Sequence, residues 1–397
     1  VTKIQAEWLK TPLARAVVEA LGADNIKFVG GAVRDTLVGR KVADIDAATR
    51  YLPEKTKELL ETAGLKVIPT GLKHGTVTAV LGREMMEITT LRIDVETDGR
   101  HAEVTFTNDW FEDAKRRDFT FNALYAAPDG TLYDPFEGTS DLYAGRVRFI
   151  RDAVTRIEED ALRILRFFRF FARYGKGEPD SEAVAACNLK KQLIRNLSIE
   201  RVRDELVKLL SVPSPLPTIK LMEQSGILVE FMGANTSLDS LTSYLVGERA
   251  TKRELVYNPL ARLYFLLRSS FDAKEIARRF RLSNKERNLL KNMEAACAAA
   301  PFFDKVQVRR ACYLWGSEAT DAAIIAGGAP HSSMLEAVQT WDRPIFMLCG
   351  KDMIEAGVQA GPQMGALLKK LEQDWINSDF SLSREALLAR LPREKAQ

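Results

Sequence analysis

The chain has 397 residues, beyond the size at which one hydrophobic core keeps growing, so several packed units are expected. With 57 Lys and Arg against 54 Asp and Glu it is only mildly basic at +3, so contact with a polyanion must be local, and segment 146–210 carries 15 Lys and Arg against 10 Asp and Glu. Cys187, Cys297, Cys312 and Cys349 are scattered without a Cys-x-x-Cys, which suggests neither a disulfide framework nor a zinc site, and His74, His101 and His331 are too few and too dispersed for a histidine metal site.

In chain order, the first informative element is Ile26-Lys27-Phe28-Val29, an apolar and partly β-branched run that predicts a strand. It leads into Gly30-Gly31 and a short helix from Ala32. A strand, a glycine turn and a helix start make an anion site, because Gly30 and Gly31 let the backbone approach a triphosphate and Arg34 adds a forked guanidinium. Val42 to Ala48 alternates, so a second strand is expected there, with Asp44 and Asp46 on one face and Ile45 on the other. Two carboxylates on one face can hold Mg²⁺, and a pair of such ions is the two-metal arrangement for in-line phosphoryl chemistry. Phosphate turn and carboxylate pair together suggest nucleotidyl transfer.

Further along, Arg116-Arg117-Asp118-Phe119-Thr120-Phe121-Asn122-Ala123 sets adjacent arginines before an acidic residue, and Asp134-Pro135-Phe136-Glu137-Gly138 with Asp141-Leu142 reads as a connection. From Glu159 the spacing predicts a helix on which Asp160, Arg163 and Arg166 share a face drifting toward Arg169, with Leu162, Leu165, Phe168 and Phe171 as the core stripe. Ser198 is an expected N-cap for the next helix, with Glu200 and Arg201 paired. Residues 215–330 read as successive helices with basic turns at Arg278-Arg279-Phe280-Arg281 and Lys285-Glu286-Arg287. Pro362 suits the first turn of a helix running through Leu367, Leu368 and Leu371. No apolar run is long enough for a membrane span and no targeting segment is visible, so a cytoplasmic location is expected.

Gly30 to Asp35 followed by Asp44-Ile45-Asp46, the Arg116–Ala123 motif, Glu159-Asp160-Ala161-Leu162-Arg163 and Leu197–Leu206 resemble, in order, motifs of the class II tRNA nucleotidyltransferases, the CCA-adding enzymes, which share them with bacterial poly(A) polymerases. The resemblance spans nearly the whole chain and is strongest over 26–210. It implies an α+β, polymerase-β-like nucleotidyltransferase head with a small mixed or antiparallel sheet, followed by an all-α neck, body and tail. The expected divisions are a head over 1–145, a neck over 146–214, a body over 215–330 and a tail over 331–397.

The same resemblance implies that Arg117 holds phosphate, that Asp118 and Asn122 bond the ribose, and that Asp160 and Arg163 template the incoming base, with Arg166 and Arg169 reading or supporting the nucleotide. Cytosine and adenine both present an amino donor beside a ring-nitrogen acceptor, which one carboxylate and one guanidinium satisfy together. Uracil and guanine reverse that order and leave buried polar groups mismatched. CTP and ATP are therefore the expected substrates, Mg²⁺ the cofactor, and the tRNA 3′ end with its acceptor and elbow region the partner; no obligate protein partner is implied.

Lys73-His74-Gly75-Thr76-Val77-Thr78 and Glu87–Asp94 look like CCA-adding members, and Asp98–Val104 resembles their mobile loop, which CC-adding relatives lack. Full CCA addition is thus favoured over CC addition or poly(A) synthesis, and a catalytically silent tRNA-binding protein is disfavoured by the intact Asp-x-Asp and template pair. Glu87 is either a third carboxylate near the metals or an exposed strand residue.

Overall fold

The computed structural model describes residues 2–72, 75–95, 103–233, 238–251, 257–327 and 332–391. Lys73, His74, residues 98–102 of the expected mobile loop, and His331 lie outside the described residues. The chain divides into two units, Val1–Gly233 and Ala234–Gln397.

The first unit opens with α1 (Pro12–Leu21), whose start is fixed by Pro12 in the first turn and by the Thr11 hydroxyl accepting from the Ala14 N–H. Among the described residues nine strands follow in two sheets: β1 (Ile26–Val29), β2 (Asp46–Thr49), β3 (Lys66–Gly71), β4 (Thr76–Leu81), β5 (Glu84–Thr90), β6 (Arg92–Val95), β7 (Glu103–Phe106), β8 (Tyr125–Ala126) and β9 (Leu132–Tyr133). The larger sheet runs β3-β4-β5-β2-β1-β8-β9, and β6 pairs with β7. Among the described residues only the β2–β5 pairing is parallel, so the sheet is mixed, as expected. Helices α2 (Gly31–Leu37), α3 (Pro53–Thr62), α4 (Trp110–Lys115) and α5 (Gly138–Ala144) are interspersed. Val29, Ala48, Leu91, Trp110, Tyr125 and Ile150 form a buried cluster beneath the β1–β2 end of the sheet.

Two expectations need correction. The strand expected across Val42–Ala48 begins only at Asp46, because its partner β1 stops at Val29, opposite Asp46, where Gly30 turns the chain with φ 71°. Asp44 is therefore in exposed coil ahead of β2 rather than on its pleat. The helix expected through Asp160 is two helices, α6 (Ala153–Glu159) and α7 (Leu162–Tyr174), since Asp160 is extended at φ −153° and ψ 104°. Its carboxylate accepts from the Leu162 N–H at 3.1 Å, so the residue starts a helix where spacing alone placed it inside one.

Helix α7 buries Leu162, Leu165, Phe167, Phe168 and Phe170, and packs against α9 (Ile199–Leu210), for which Ser198 occupies the N-cap position without a side-chain capping bond. Phe170 meets Phe119 and Phe121 edge-on at centroid distances of 5.4 and 5.5 Å, which anchors α7 to the segment after Asp118. Each such aromatic pair contributes roughly 0.5–1.5 kcal/mol beyond its buried area. The unit is completed by α8 (Ser181–Lys190), α10 (Leu216–Gln224) and α11 (Ile227–Met232).

The regular elements among the described residues of the second unit are helices: α12 (Asp239–Ala250), α13 (Pro259–Leu267), α14 (Ala273–Arg279), α15 (Asn284–Ala299), α16 (Lys305–Trp315), α17 (Ser317–Ala326), α18 (Ser332–Thr340), α19 (Gly350–Glu355), α20 (Pro362–Asn377) and α21 (Arg384–Leu388). Pro362 stands at the start of α20, as expected. On α14 both Arg278 and Arg279 donate to Glu275, which partly neutralises that basic turn. Between α12 and α13 the fully buried Arg262 guanidinium grips the Glu248 carboxylate, with Nη2 to Oε2 at 2.5 Å, over the Tyr257 ring at 4.2 Å. Removing one partner of such a buried pair is costly, so Glu248→Ala should lower stability by about 3 kcal/mol in urea unfolding, whereas an unchanged midpoint would show the pair to be dispensable.

Candidate nucleotide-binding site

In the first unit the end of the sheet at β1 and β2 faces the start of α7 across an open basin of about 480 Å³. Of the residues singled out from sequence, Gly31, Arg34, Asp46, Arg117, Asp118, Asn122, Asp160, Arg163 and Arg166 line it; Asp44 and Arg169 do not. Arg169 sits behind, its Nε donating to Glu205 at 2.5 Å and its guanidinium 4.0 Å from the Phe170 ring. Glu205 also approaches Arg166, at 3.9 Å, so it backs both arginines from α9.

One wall is built for anions. A Cβ on Gly30 would lie 4.0 Å from Arg117 Nη1, and one on Gly31 would lie 3.7 Å from Arg34 Nη2, so both guanidinium groups border the glycine turn. Gly30, at φ 71°, adopts a backbone that side chains rarely reach. Arg117 is fixed from behind: Nη2 donates to Asp113 at 3.1 Å and Nε to Tyr125 Oη at 3.0 Å, while the phenol donates to Asp113 at 2.6 Å. Burial alone would push the Asp113 carboxyl up, but Arg117, Arg116 and the phenol hold it well below the usual carboxylate range. The arginine is therefore locked in place and remains charged.

A second wall belongs to the segment after Arg117. Asp118 accepts from Asn122 Nδ2 and from the Phe119 N–H, both at 2.9 Å, and from Arg166 Nε at 2.7 Å. Burial raises this carboxyl, yet the Arg166 charge and these donors outweigh it, and the net displacement is downward. Asn122 Oδ1 accepts from Arg34 Nη1 at 2.6 Å, joining this wall to the glycine turn. Behind it, a Cβ on Gly138 would fall 2.3 Å from the Thr120 carbonyl oxygen, so the connection packs directly on this backbone. Gly138→Ala should displace Thr120–Asn122 and lower the melting temperature by several degrees together with nucleotide affinity; retention of both would refute this support.

The third side carries the pair expected to read the base, and each member already has a partner. Asp160 accepts from Arg201 Nη2 at 2.8 Å, and Arg163 Nη1 donates to Glu159 at 2.5 Å and to the Arg156 carbonyl at 2.6 Å. Arg201, expected from sequence to pair with Glu200, reaches Asp160 in the break ahead of α7. Arg156 is itself buried and donates to the carbonyls of both Arg116 and Arg117, tying α6 to the phosphate wall.

On β2, Asp46 stands directly opposite Glu87 of the parallel strand β5, so both side chains leave the sheet on one face. Burial first, then the charges of Glu87 and Asp44, push the Asp46 carboxyl above its ordinary value, with Arg117 opposing. Concentrated negative charge of this kind fits a divalent cation. No three His, Cys, Asp or Glu side chains among the described residues converge into a complete cage. An ion here needs substrate oxygens and water to finish its shell, which is how Mg²⁺ binds with nucleotides.

Arg92, Arg116 and Phe170 also line the basin and were given no role from sequence. Arg116 and Arg117 follow Asp113 by three and four residues, a helical ion-pair spacing that was available as a signal. Arg92 and Phe170 carry no such local mark.

Residues 26–148 match the family described as the poly(A) polymerase head domain, and residues 178–232 match the one described as the probable RNA and SrmB-binding site of polymerase A. The mitochondrial CCA tRNA nucleotidyltransferase 1 of Danio rerio is 35% identical over 380 residues, covering 92% of this chain and 86% of the relative. The CCA-adding enzyme of Levilactobacillus brevis is 30% identical over 405 residues, covering 95% and 96%. The solved CCA-adding enzyme of Bacillus stearothermophilus in complex with CTP superposes with a TM-score of 0.75 at 26% identity, covering 96% of each chain.

Proposed function

Because the chain belongs to the family of CCA-adding tRNA nucleotidyltransferases, we infer that this basin is where it adds C, C and A stepwise to the tRNA 3′ end from CTP and ATP, without a nucleic-acid template, releasing pyrophosphate. The observation that carries the reading is the convergence of the glycine turn, two fixed arginines, Asp46 and the Asp160–Arg163 pair on one basin.

The roles follow from chemistry. Arg34 and Arg117 bind the triphosphate, each offering a terminal nitrogen at the turn where backbone can approach phosphate closely. Asp118 and Asn122 meet the ribose hydroxyls. Asp160 accepts from the amino group of cytosine or adenine, and Arg163 donates to the neighbouring ring nitrogen. Arg163 is held through Nη1 alone and Asp160 meets Arg201 through Oδ2, so Nε, Nη2 and the remaining carboxylate lone pairs are left for the base. Uracil or guanine cannot use them, since carbonyl would face carboxylate and ring N–H would face guanidinium. Arg166 and Arg169 support the nucleotide from behind through Asp118 and Glu205.

Asp44 and Asp46 are the residues that would hold Mg²⁺, and Glu87, an exposed strand residue opposite Asp46, adds negative charge beside them. The ion, when bound, supplies charge to activate the attacking 3′ hydroxyl and to stabilise the departing pyrophosphate. The division into 1–145, 146–214, 215–330 and 331–397 belongs to the same proposal, as does tRNA contact by the later helices; the end of the sheet at Tyr133 supports the first boundary. A cytoplasmic location is supported by four free cysteines, as a reducing compartment keeps them. No helix among the described residues is long and apolar enough to cross a membrane.

The test is metal-stripped protein given tRNA, CTP and ATP. Mg²⁺ should restore incorporation with one pyrophosphate released per nucleotide added. Incorporation independent of any divalent ion, or release of inorganic phosphate, would refute the reading.

A further inference from the structure

We propose that Tyr174, through its hydrogen bond to Asp35, positions Arg34 against the triphosphate, so that α7 sets both ends of the bound nucleotide. This rests on the reading of Arg34 as a triphosphate ligand.

Arg34 is held by four neighbours. Its Nη1 donates to Asn122 and its Nε reaches Asp35 Oδ1 at a long 3.3 Å, while its flat face lies over the rings of Phe170 and Tyr174 at 5.1 and 4.7 Å. Nη2 has no hydrogen bond to any described residue and borders Gly31. It is the donor left for a phosphate.

What keeps Arg34 from closing fully on its own neighbour is the last turn of α7. Tyr174 Oη donates to Asp35 Oδ1 at 2.5 Å, and Arg173 Nη2 approaches Asp35 Oδ2 at 3.4 Å. Arg173 Nε donates to the same phenol oxygen at 2.8 Å, so that oxygen accepts from one side and its only proton points at Asp35. Burial and Asp35 raise the Tyr174 phenol above its ordinary value, so the proton is present at neutral pH. Arg40 completes the cluster by donating to the Arg173 carbonyl at 2.8 Å. With Asp35 engaged by α7, the adjacent guanidinium leans on it weakly and Nη2 stays at the turn.

The consequence is mechanical as well as electrostatic. Helix α7 is 13 residues long, with Arg163 and Arg166 in its first turns and Phe170, Arg173 and Tyr174 in its last. At about 1.5 Å per residue it spans roughly 20 Å as one rod. Arg163 and the contacts to Asp35 are thus carried by opposite ends of one helix.

Single-nucleotide CTP addition and inhibition by inorganic pyrophosphate should be measured for wild type, Tyr174→Phe, the double variant Tyr174→Phe/Asp35→Asn, and Arg34→Ala. Without the phenol, the Asp35 charge captures Arg34, so Tyr174→Phe should raise the KM for CTP and the inhibition constant of pyrophosphate together by about tenfold. Its kcat, its preference for CTP over UTP and its Tm should change little. Adding Asp35→Asn removes the competing charge and should bring both constants back toward wild type. A Tyr174→Phe variant with unaltered pyrophosphate inhibition, or with KM, kcat and Tm all degraded and no rescue, overturns the proposal. If Arg34→Ala also leaves pyrophosphate inhibition unchanged, the premise about Arg34 has failed; if Arg34→Ala weakens it and Tyr174→Phe does not, only the coupling has failed.

Discussion

Asp46→Ala should reduce nucleotide incorporation by about a thousandfold or more, equivalent to roughly 4 kcal/mol of lost transition-state stabilisation, while leaving tRNA affinity unchanged. Burial first, then the charges of Glu87 opposite it and of Asp44, raise the Asp46 carboxyl. The sign of the shift gives a second readout. A carboxyl raised in the folded state adds stability below the ordinary carboxylate range and loses it as pH rises through the folded value. At neutral pH without metal, Asp46→Asn should therefore melt a few degrees above wild type, and it should lose the stabilisation that Mg²⁺ confers on wild type. Binding and turnover falling equally, or a lower melting temperature for the metal-free Asn variant, would contradict a metal-holding role.

Arg163→Ala and Asp160→Ala should each cut discrimination between CTP and UTP by tenfold or more, since a bidentate base contact is worth about 1–3 kcal/mol. The loss should appear in kcat/KM ratios, with the absolute rate for CTP falling and that for UTP holding. Glu159 and Arg201 hold the two residues when no base is present. Removing Arg163 leaves Asp160 still tied to Arg201, so the double variant should be scarcely worse than either single one, as expected of residues that act as a unit. Selectivity unaltered in both single variants would mean that the base is read elsewhere.

Much of this site could be read in the sequence because its chemistry is local there. The glycine turn, Arg34 and Asp46 sit on consecutive elements whose order and spacing are visible, and Arg117, Asp118 and Asn122 fall within six residues of one another. The first and last of these groups are joined in space by one hydrogen bond, Arg34 to Asn122. Local pattern misleads where pairing partners decide the outcome. The strand at Asp44 was expected from alternation, but β1 has no residue left to pair with it once Gly30 turns. The break at Asp160 was hidden because a helical period continues through it, while the Asp160 carboxylate and the Leu162 N–H set the actual start of α7. Glu205, Asp113 and Tyr125, which hold the arginines from behind, and Phe170, which carries three of them on its ring, are defined by contacts between distant elements. In the second unit the basic turns at 278–287 were legible as charge, but not the capture of Arg278 and Arg279 by Glu275.

The most direct measurement is extension of one tRNA lacking its 3′ CCA, resolved to single nucleotides, with each nucleoside triphosphate alone and with CTP and ATP together. The account predicts two additions with CTP alone, a stop after the third when ATP is also present, and nothing with UTP or GTP. A long ladder from ATP alone, a halt after two additions with both nucleotides supplied, or no incorporation at all would contradict it.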